Sequence, residues 1–305
     1  VIEKASDFKK EIVKIRQWCE SHVVSAVLFQ VYTEMLDRDP LEEVRKIIEY
    51  EMPAAYFVGC SSNGNVVDGH FSTGSIAVTC TVFEYISTKI KVLSYRLTAD
   101  NMSSVAQSLI KEVENNEWVK GVEMLLTIRG MSMTGLCNKL SDVREGVEIF
   151  GGGAFSVDIN KDSAFVYSQE SGYQENGIVF ILFGGEDLYI KSTFITGWKP
   201  LGMDLEVTAT DGYILQELDH APAYDTYYRY LNIKNDESFF NNTLEFPFLY
   251  ESHGIDILRA PISSNPDGSL TMTADMEMNE FEAIGHIVFL ELVQCDKQVG
   301  RPQTE

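Results

Sequence analysis

The stretch Gly59-Cys60-Ser61-Ser62-Asn63-Gly64 places a thiol and two hydroxyls directly after the apolar run Ala54 to Val58, at the mouth of an expected strand. A serine in that setting becomes a nucleophile in the G-x-S-x-G elbow, where a strand-to-helix turn presents it to Asp and His partners later in the chain. Here Asn63 stands where the second glycine belongs, and Asn65-Val66-Val67-Asp68-Gly69 reads as loop or strand. The spacing argues against Cys60 or Ser61 as a nucleophile and against a catalytic role for the segment. Two readings remain: a ligand loop in which Cys60, Ser61, Ser62 and Asn63 offer N–H groups and hydroxyls to a polar group, or a tight turn in which Cys60 fills a small buried space.

Other segments carry weaker chemistry. Gly151-Gly152-Gly153-Ala154 follows an apolar strand but matches neither GxGxxG nor GxxxxGK[ST], so a nucleotide fold is not supported. Gly152 and Gly153 permit close approach by a ligand or by another strand. Arg129 and Arg259 stand in apolar, strand-like surroundings, where a guanidinium needs a carboxylate from the protein or from a ligand. Trp198, within Gly197-Trp198-Lys199-Pro200-Leu201-Gly202, either caps a core or walls a pocket. His22, His70, His220, His253 and His286 have no HxH or HExxH spacing, so no metal site is expected. Axial ligation of haem needs no motif and stays open.

The elements that must position these groups follow from periodicity. Residues 6–20 place Phe8, Ile12, Ile15 and Cys19 on one helical face, and Val23 to Val31 is nearly continuously apolar, as in a buried strand. A second helix opens at Asp39-Pro40, aligns Leu41, Val44, Ile47 and Ile48, and closes at Met52-Pro53 before the strand Tyr56 to Gly59. This β-α-β order predicts a parallel pair whose loops open at the carboxyl ends of the strands. Ser75 to Tyr85 and Lys89 to Leu97 read as a hairpin. A helix over residues 101–115, a strand over 122–128, a helix over 132–143 and a strand over 147–150 follow.

Beyond about residue 160 helices give way to short strands at 163–168, 178–183, 188–196, 205–210, 213–218, 244–250, 256–262, 270–274 and 286–293, interrupted by a helix over 221–231. The expected fold class is therefore α/β, mixed α+β, with an N-terminal α/β lobe, a strand-dominated C-terminal lobe and layered sheets with flanking helices.

Composition narrows the partners. The chain has 305 residues, with 24 Lys and Arg against 46 Asp and Glu, for a formal charge of -22. Such a surface repels phosphate backbones and anionic lipid, so neither nucleic acid nor membrane is expected as a partner. No apolar run approaches the ~20 residues of a membrane helix. Cys19, Cys60, Cys80, Cys137 and Cys295 form no CxxC pair, which suits a reducing compartment, the cytoplasm. The start at Val1 and the end at Glu305 suggest a segment of something longer.

Taken in order, these segments resemble the FIST sensory domain family. The resemblance rests on Gly59-Cys60-Ser61-Ser62-Asn63-Gly64, Gly152-Gly153-Ala154, Gly197-Trp198-Lys199-Pro200-Leu201-Gly202, Val207-Thr208, Leu218-Asp219-His220-Ala221-Pro222-Ala223 and Asp267-Gly268-Ser269-Leu270 after Arg259. The sequence departs from the family pattern at Asn65, Arg129-Gly130 and Phe155. The resemblance implies an N-terminal helix (1–22), a FIST N-like α/β module (23–195) and a FIST C-like strand-rich module (196–305). It further implies a bacterial, cytoplasmic, non-enzymatic input domain that binds a small polar ligand such as an amino acid. Such a domain regulates a covalently linked output, for example a diguanylate cyclase, histidine kinase or chemotaxis-receptor module, and homodimerisation is compatible with that role. Haem-binding nitric oxide sensors are the alternative the family offers. The ligand-binding residues so implied are Cys60, Ser61, Ser62, Asn63, Arg129, Gly152, Gly153, Trp198 and Arg259.

Overall fold

The computed structural model describes residues 1–2, 4–34, 38–127, 133–155, 163–193, 198–252, 255–276 and 285–292. The chain divides into two compact units, Val1–Thr193 and Phe194–Glu305.

The first unit begins with α1 (Ala5–Glu20), β1 (Ala26–Thr33), α2 (Asp39–Glu51) and β2 (Tyr56–Ser61). A short hairpin, β3 (Asn65–Val67) and β4 (His70–Ser72), precedes β5 (Ile76–Phe83) and β6 (Lys89–Arg96). The order then recurs as α3 (Met102–Glu114), β7 (Val119–Leu126), α4 (Thr134–Leu140) and β8 (Glu148–Gly153), and β9 (Val166–Ser168), β10 (Gly172–Gln174) and β11 (Gly177–Gly184) finish the unit. One sheet has the order β10-β9-β2-β1-β5 and the other β6-β11-β7-β8. In each, a helix–strand–helix–strand run supplies a parallel pair, β1 with β2 and β7 with β8, and an antiparallel strand flanks the first member, β5 on β1 and β11 on β7. The unit is thus built from two copies of one α-β-α-β motif.

Side-chain alternation explains the layering. On β1, Val27, Phe29 and Val31 point one way and pack with Phe8 and Ile12 of α1 and Leu41, Val44 and Ile48 of α2. Leu28, on the other face, joins Val58 and Cys60 of β2 and Val179, Ile181 and Phe183 of β11 in a layer between the two sheets. Ile178, Phe180 and Leu182 of β11 face α3 and α4, meeting Val105, Leu109 and Leu136. The result is a helix–sheet–sheet–helix sandwich. β11 is buried along its whole length because it has apolar neighbours on both faces. Each fully buried Leu, Ile or Phe contributes roughly 1.5–3 kcal/mol, so the three apolar layers account for the stability of the unit.

The expected parallel pair is present, but the expected hairpin of residues 75–97 is not. β5 lies on β1 and β6 on β11, so the link between them crosses from one sheet to the other. Turn residues between two apolar runs fix a reversal of direction, not the partner of each run. Residues 188–193 form no strand, and the remainder of that expectation, 194–196, lies outside the described residues.

The second unit contains an antiparallel sheet formed by β12 (Trp198–Asp211), β13 (Ile214–Leu218), β14 (Ala221–Pro222), β15 (Phe248–Ser252), β16 (Ile255–Arg259), β17 (Pro261–Ser264), β18 (Leu270–Met272) and β19 (Gly285–Leu292). Its order is β16-β15-β19-β12-β13-β18-β17, with β14 on β13. Only Ala260 separates β16 from β17, the two ends of that order, so the sheet must curl until its edges meet. This corrects the single strand expected over 256–262. Two helices pack on the sheet through Ala223 and Tyr227 of α5 (Ala223–Leu231) and Phe239 of α6 (Phe239–Leu244). α6 was not expected. Its sequence, FFNNTL, is too short to show helical periodicity.

Candidate functional site

The segment containing Cys60 begins inside a strand. Cys60 and Ser61 are the last residues of β2, and Tyr32 of β1 is the register partner of Cys60. Cys60 keeps 5% of its surface exposed, and burial, reinforced by the nearby Glu123 charge, pushes its thiol up to about 12. Near neutral pH it is a thiol, and a thiol is a poor nucleophile. Ser61 is 2% exposed; its Oγ accepts from Phe165 N at 3.0 Å, and its N donates to Phe165 O at 3.0 Å. Both side chains are structural, for physical reasons independent of the motif's spacing.

The glycines of the segment also serve packing. A Cβ on Gly59 would lie 2.6 Å from Val31 O on the neighbouring strand. Gly64, at φ +135°, holds the Phe71 ring, which would lie 2.4 Å from an added Cβ. Ser62 N donates to Thr33 O at 2.8 Å, and exposed Asn63 completes the turn into the β3–β4 hairpin. Asp68 and Gly69, with φ of 52° and 76°, form the tip of that hairpin, matching the left-handed pair a two-residue turn requires. Glu34 ties the base of the hairpin by accepting from Gly74 N, while Asn65 Nδ2 donates to Ser75 O at 3.2 Å.

The second glycine-rich strand end lies beside the first. Ala154 N donates to Leu126 O at 2.6 Å, and Phe155 N donates to Ser61 O at 3.2 Å, so the ends of β8 and β2 meet across the two sheets. Ala154 and Cys60 share the inter-sheet layer. Gly151, at φ +137°, seats β8 against β7, since an added Cβ would fall 2.0 Å from Met124 O. Gly152 has open space where a Cβ would be, and Gly153, like Gly152, is exposed.

Beneath these strand ends lies a polar group that periodicity alone did not single out. Gln30 and Tyr32 lie on the face of β1 turned toward the second sheet, and Glu123 of β7 reaches them from that sheet. Gln30 Nε2 donates to Tyr32 Oη at 3.1 Å and to the two Glu123 oxygens at 2.9 and 3.0 Å. The Tyr32 hydroxyl supplies a further hydrogen bond to Glu123. Burial raises the Glu123 pKa above its ordinary value, outweighing the hydrogen bonds from Gln30 and Tyr32 that lower it. Burial, then the Glu123 charge, also pushes the Tyr32 phenol upward. All three residues remain partly exposed, so the group opens to solvent. The available signal was the occurrence of Gln30 and Glu123 within otherwise apolar strands, AVLFQVYT and VKGVEMLL.

Arg129 lies outside the described residues. Trp198 is half-buried at the start of β12, opposite Leu292, in the second unit. Arg259 ends β16, where Nε donates to Asp275 O at 3.1 Å and Nη1 to Leu258 O at 3.0 Å, beside the seam at Ala260. Two grooves lie toward the amino ends of the strands. One, of about 270 Å³, is lined by Tyr56, Ile90, Lys91 and Gln169, and the other, of about 420 Å³, by Arg16, Cys19, Val24 and Met52.

His22, His70 and His220 are exposed, none lines either groove, and His286 lies on β19 opposite Glu206 of β12. His253 lies outside the described residues. Among the described residues no cluster of His, Cys, Asp and Glu could hold a metal ion, and no helix is long and apolar enough to cross a membrane.

No curated protein matches the chain. The FIST N domain profile matches residues 27–221, from β1, after α1, through β11 and on to β14. With more than half of its length matched, the chain belongs to the FIST family of sensory domains.

Proposed function

We propose that this chain is a non-enzymatic input module that binds a small polar ligand at the carboxyl ends of β1, β2, β7 and β8. It passes the binding free energy to an attached signalling output. The observation that carries this reading is the meeting of two glycine-rich strand ends, through the Phe155 to Ser61 hydrogen bond, above the polar group Gln30, Tyr32 and Glu123. Strand carboxyl ends are where ligands bind in α/β sheets, because the loops there can vary without disturbing the core. The inert state of Cys60 and Ser61 supports binding over covalent chemistry. In this reading Ser62, Asn63, Gly152 and Gly153 contact the ligand, whereas Cys60 and Ser61 shape the floor.

A ligand regulates an output only by its differential affinity for two states of the protein. A thermal-shift screen of the purified chain against amino acids, amines, carboxylates and sugars tests the reading. Stabilisation by at least one class, saturable with concentration, is expected. A flat response to every class counts against it. Haemin titration giving a sharp Soret band that is abolished by a single histidine substitution would replace it with the haem reading.

A further inference from the structure

Glu123 is an acidic side chain in an apolar layer, and its immediate partners are neutral. Its neighbours in that layer are Leu125 on its own strand, Cys60 on β2 and Ile181 on β11. Its hydrogen bonds come from Gln30 and Tyr32. Among the described residues no lysine or arginine forms an ion pair with it, whereas Glu42, Glu49 and Glu112, also partly buried, and exposed Glu11 and Glu175 each have one. Carboxylates held away from water are ordinarily paired with a cation or neutralised, because desolvation of a lone charge is costly. A carboxylate presents about four acceptor directions; the two hydrogens of Gln30 Nε2 are shared among Tyr32 Oη and the two Glu123 oxygens, so Gln30 and Tyr32 together fill at most three of these. The remaining direction and the missing counter-charge belong to the same site, and partial exposure leaves a path to it.

We propose that Glu123, oriented by Gln30 and Tyr32, is the counter-ion for a cationic nitrogen of the ligand, so that the site takes ammonium-bearing compounds. This inference rests on the ligand-binding reading above and specifies its chemistry. The Gln30 amide and the Tyr32 hydroxyl hold both carboxylate oxygens in place, which makes them positioning residues. The formal charge of -22 acts in the same sense, since a strongly acidic protein concentrates cations near its openings and repels anions.

The test measures binding to the intact chain by calorimetry. The ammonium-bearing probes are putrescine, agmatine, glycine, alanine and lysine; the anions are acetate and succinate; the neutral probes are glycerol and glucose. Saturable binding should be confined to ammonium-bearing probes, weakened at least tenfold in Glu123→Gln and weakened further by added salt. Tyr32→Phe, which keeps the ring and the charge, should weaken the same probes by a smaller factor. It serves as the test variant should Glu123→Gln fail to unfold cooperatively. Binding of acetate, succinate or the neutral probes alone would overturn the counter-ion role while leaving a ligand site. So would amine binding that both variants leave unchanged. Silence from every class would overturn the ligand-binding reading itself, and the counter-ion role with it.

Discussion

Replacing Gly151 by alanine tests whether β8 is seated as described. Gly151 has φ +137°, a region L-residues avoid, and an added Cβ would sit 2.0 Å from Met124 O and 2.7 Å from Met124 N. Those are main-chain atoms of the paired strand, so no side-chain rotation relieves the clash. The disfavoured φ costs about 1–3 kcal/mol and forcing the strands apart about 1–3 kcal/mol more. Gly152→Ala is the matched control, because it has no positive φ in that range and nothing within 4 Å of its Cβ. Both variants restrict the unfolded chain equally, so the difference between them isolates the native-state cost of about 2–6 kcal/mol. In a unit of this size that corresponds to roughly 5–20 °C between the two midpoints. Urea or thermal unfolding followed by circular dichroism measures the difference. Equal midpoints for the two variants would refute the seating of β8 on β7, and with it the path that brings Phe155 to Ser61.

Glu123→Gln should raise stability increasingly with pH. The native pKa of Glu123 lies above its ordinary 4.5, so its stabilising contribution is intact below that value and lost as pH rises through the native pKa. The midpoint of the variant relative to the parent should therefore climb as pH rises above the ordinary 4.5; a flat difference would contradict the burial of this carboxyl. Iodoacetamide near pH 8 should label exposed Cys137 well before Cys60. A thiol moved from 9.0 to about 12 has roughly a thousandfold less thiolate, so equal rates on the native protein would disprove the burial of Cys60. Ser61→Ala removes the Oγ acceptor of buried Phe165 N and should cost about 1–3 kcal/mol; a neutral result by chemical denaturation would show that β2 and the start of β9 are not coupled.

Much of the fold was legible where one face of an element is buried. Phe8 and Ile12 on α1, and Leu41, Val44, Ile47 and Ile48 on α2, recur at helical spacing and are buried as that spacing requires. The parallel pairing of β1 and β2 followed from the helix between them. Partner choice was less legible. β5 and β6 are both apolar runs flanking a turn, and nothing local distinguishes pairing with each other from pairing with β1 and β11. The same limit concealed the curl at Ala260, where one residue joins strands at opposite ends of a sheet.

At the site, motif spacing was informative for what it excluded, since the misplaced second glycine agrees with the buried, hydrogen-bonded state of Ser61. It could not find Gln30, Tyr32 and Glu123. Those residues lie in two different strands and meet only when the sheets stack, so their proximity is a property of tertiary packing. For each arginine the sequence left open a carboxylate from the protein or from a ligand; Arg259 donates to main-chain carbonyls at the seam of its own sheet.

The central claim, that a small polar ligand binds where the ends of β2 and β8 converge, is tested most directly by mapping amide chemical shifts during titration with a compound that stabilises the chain. The largest shifts are predicted at Ser62, Asn63, Gly152 and Phe155 and on Gln30, Tyr32 and Glu123. Largest shifts along the groove at Arg16, Cys19 and Met52, or within the sheet of the second unit, with these residues unmoved, would contradict it.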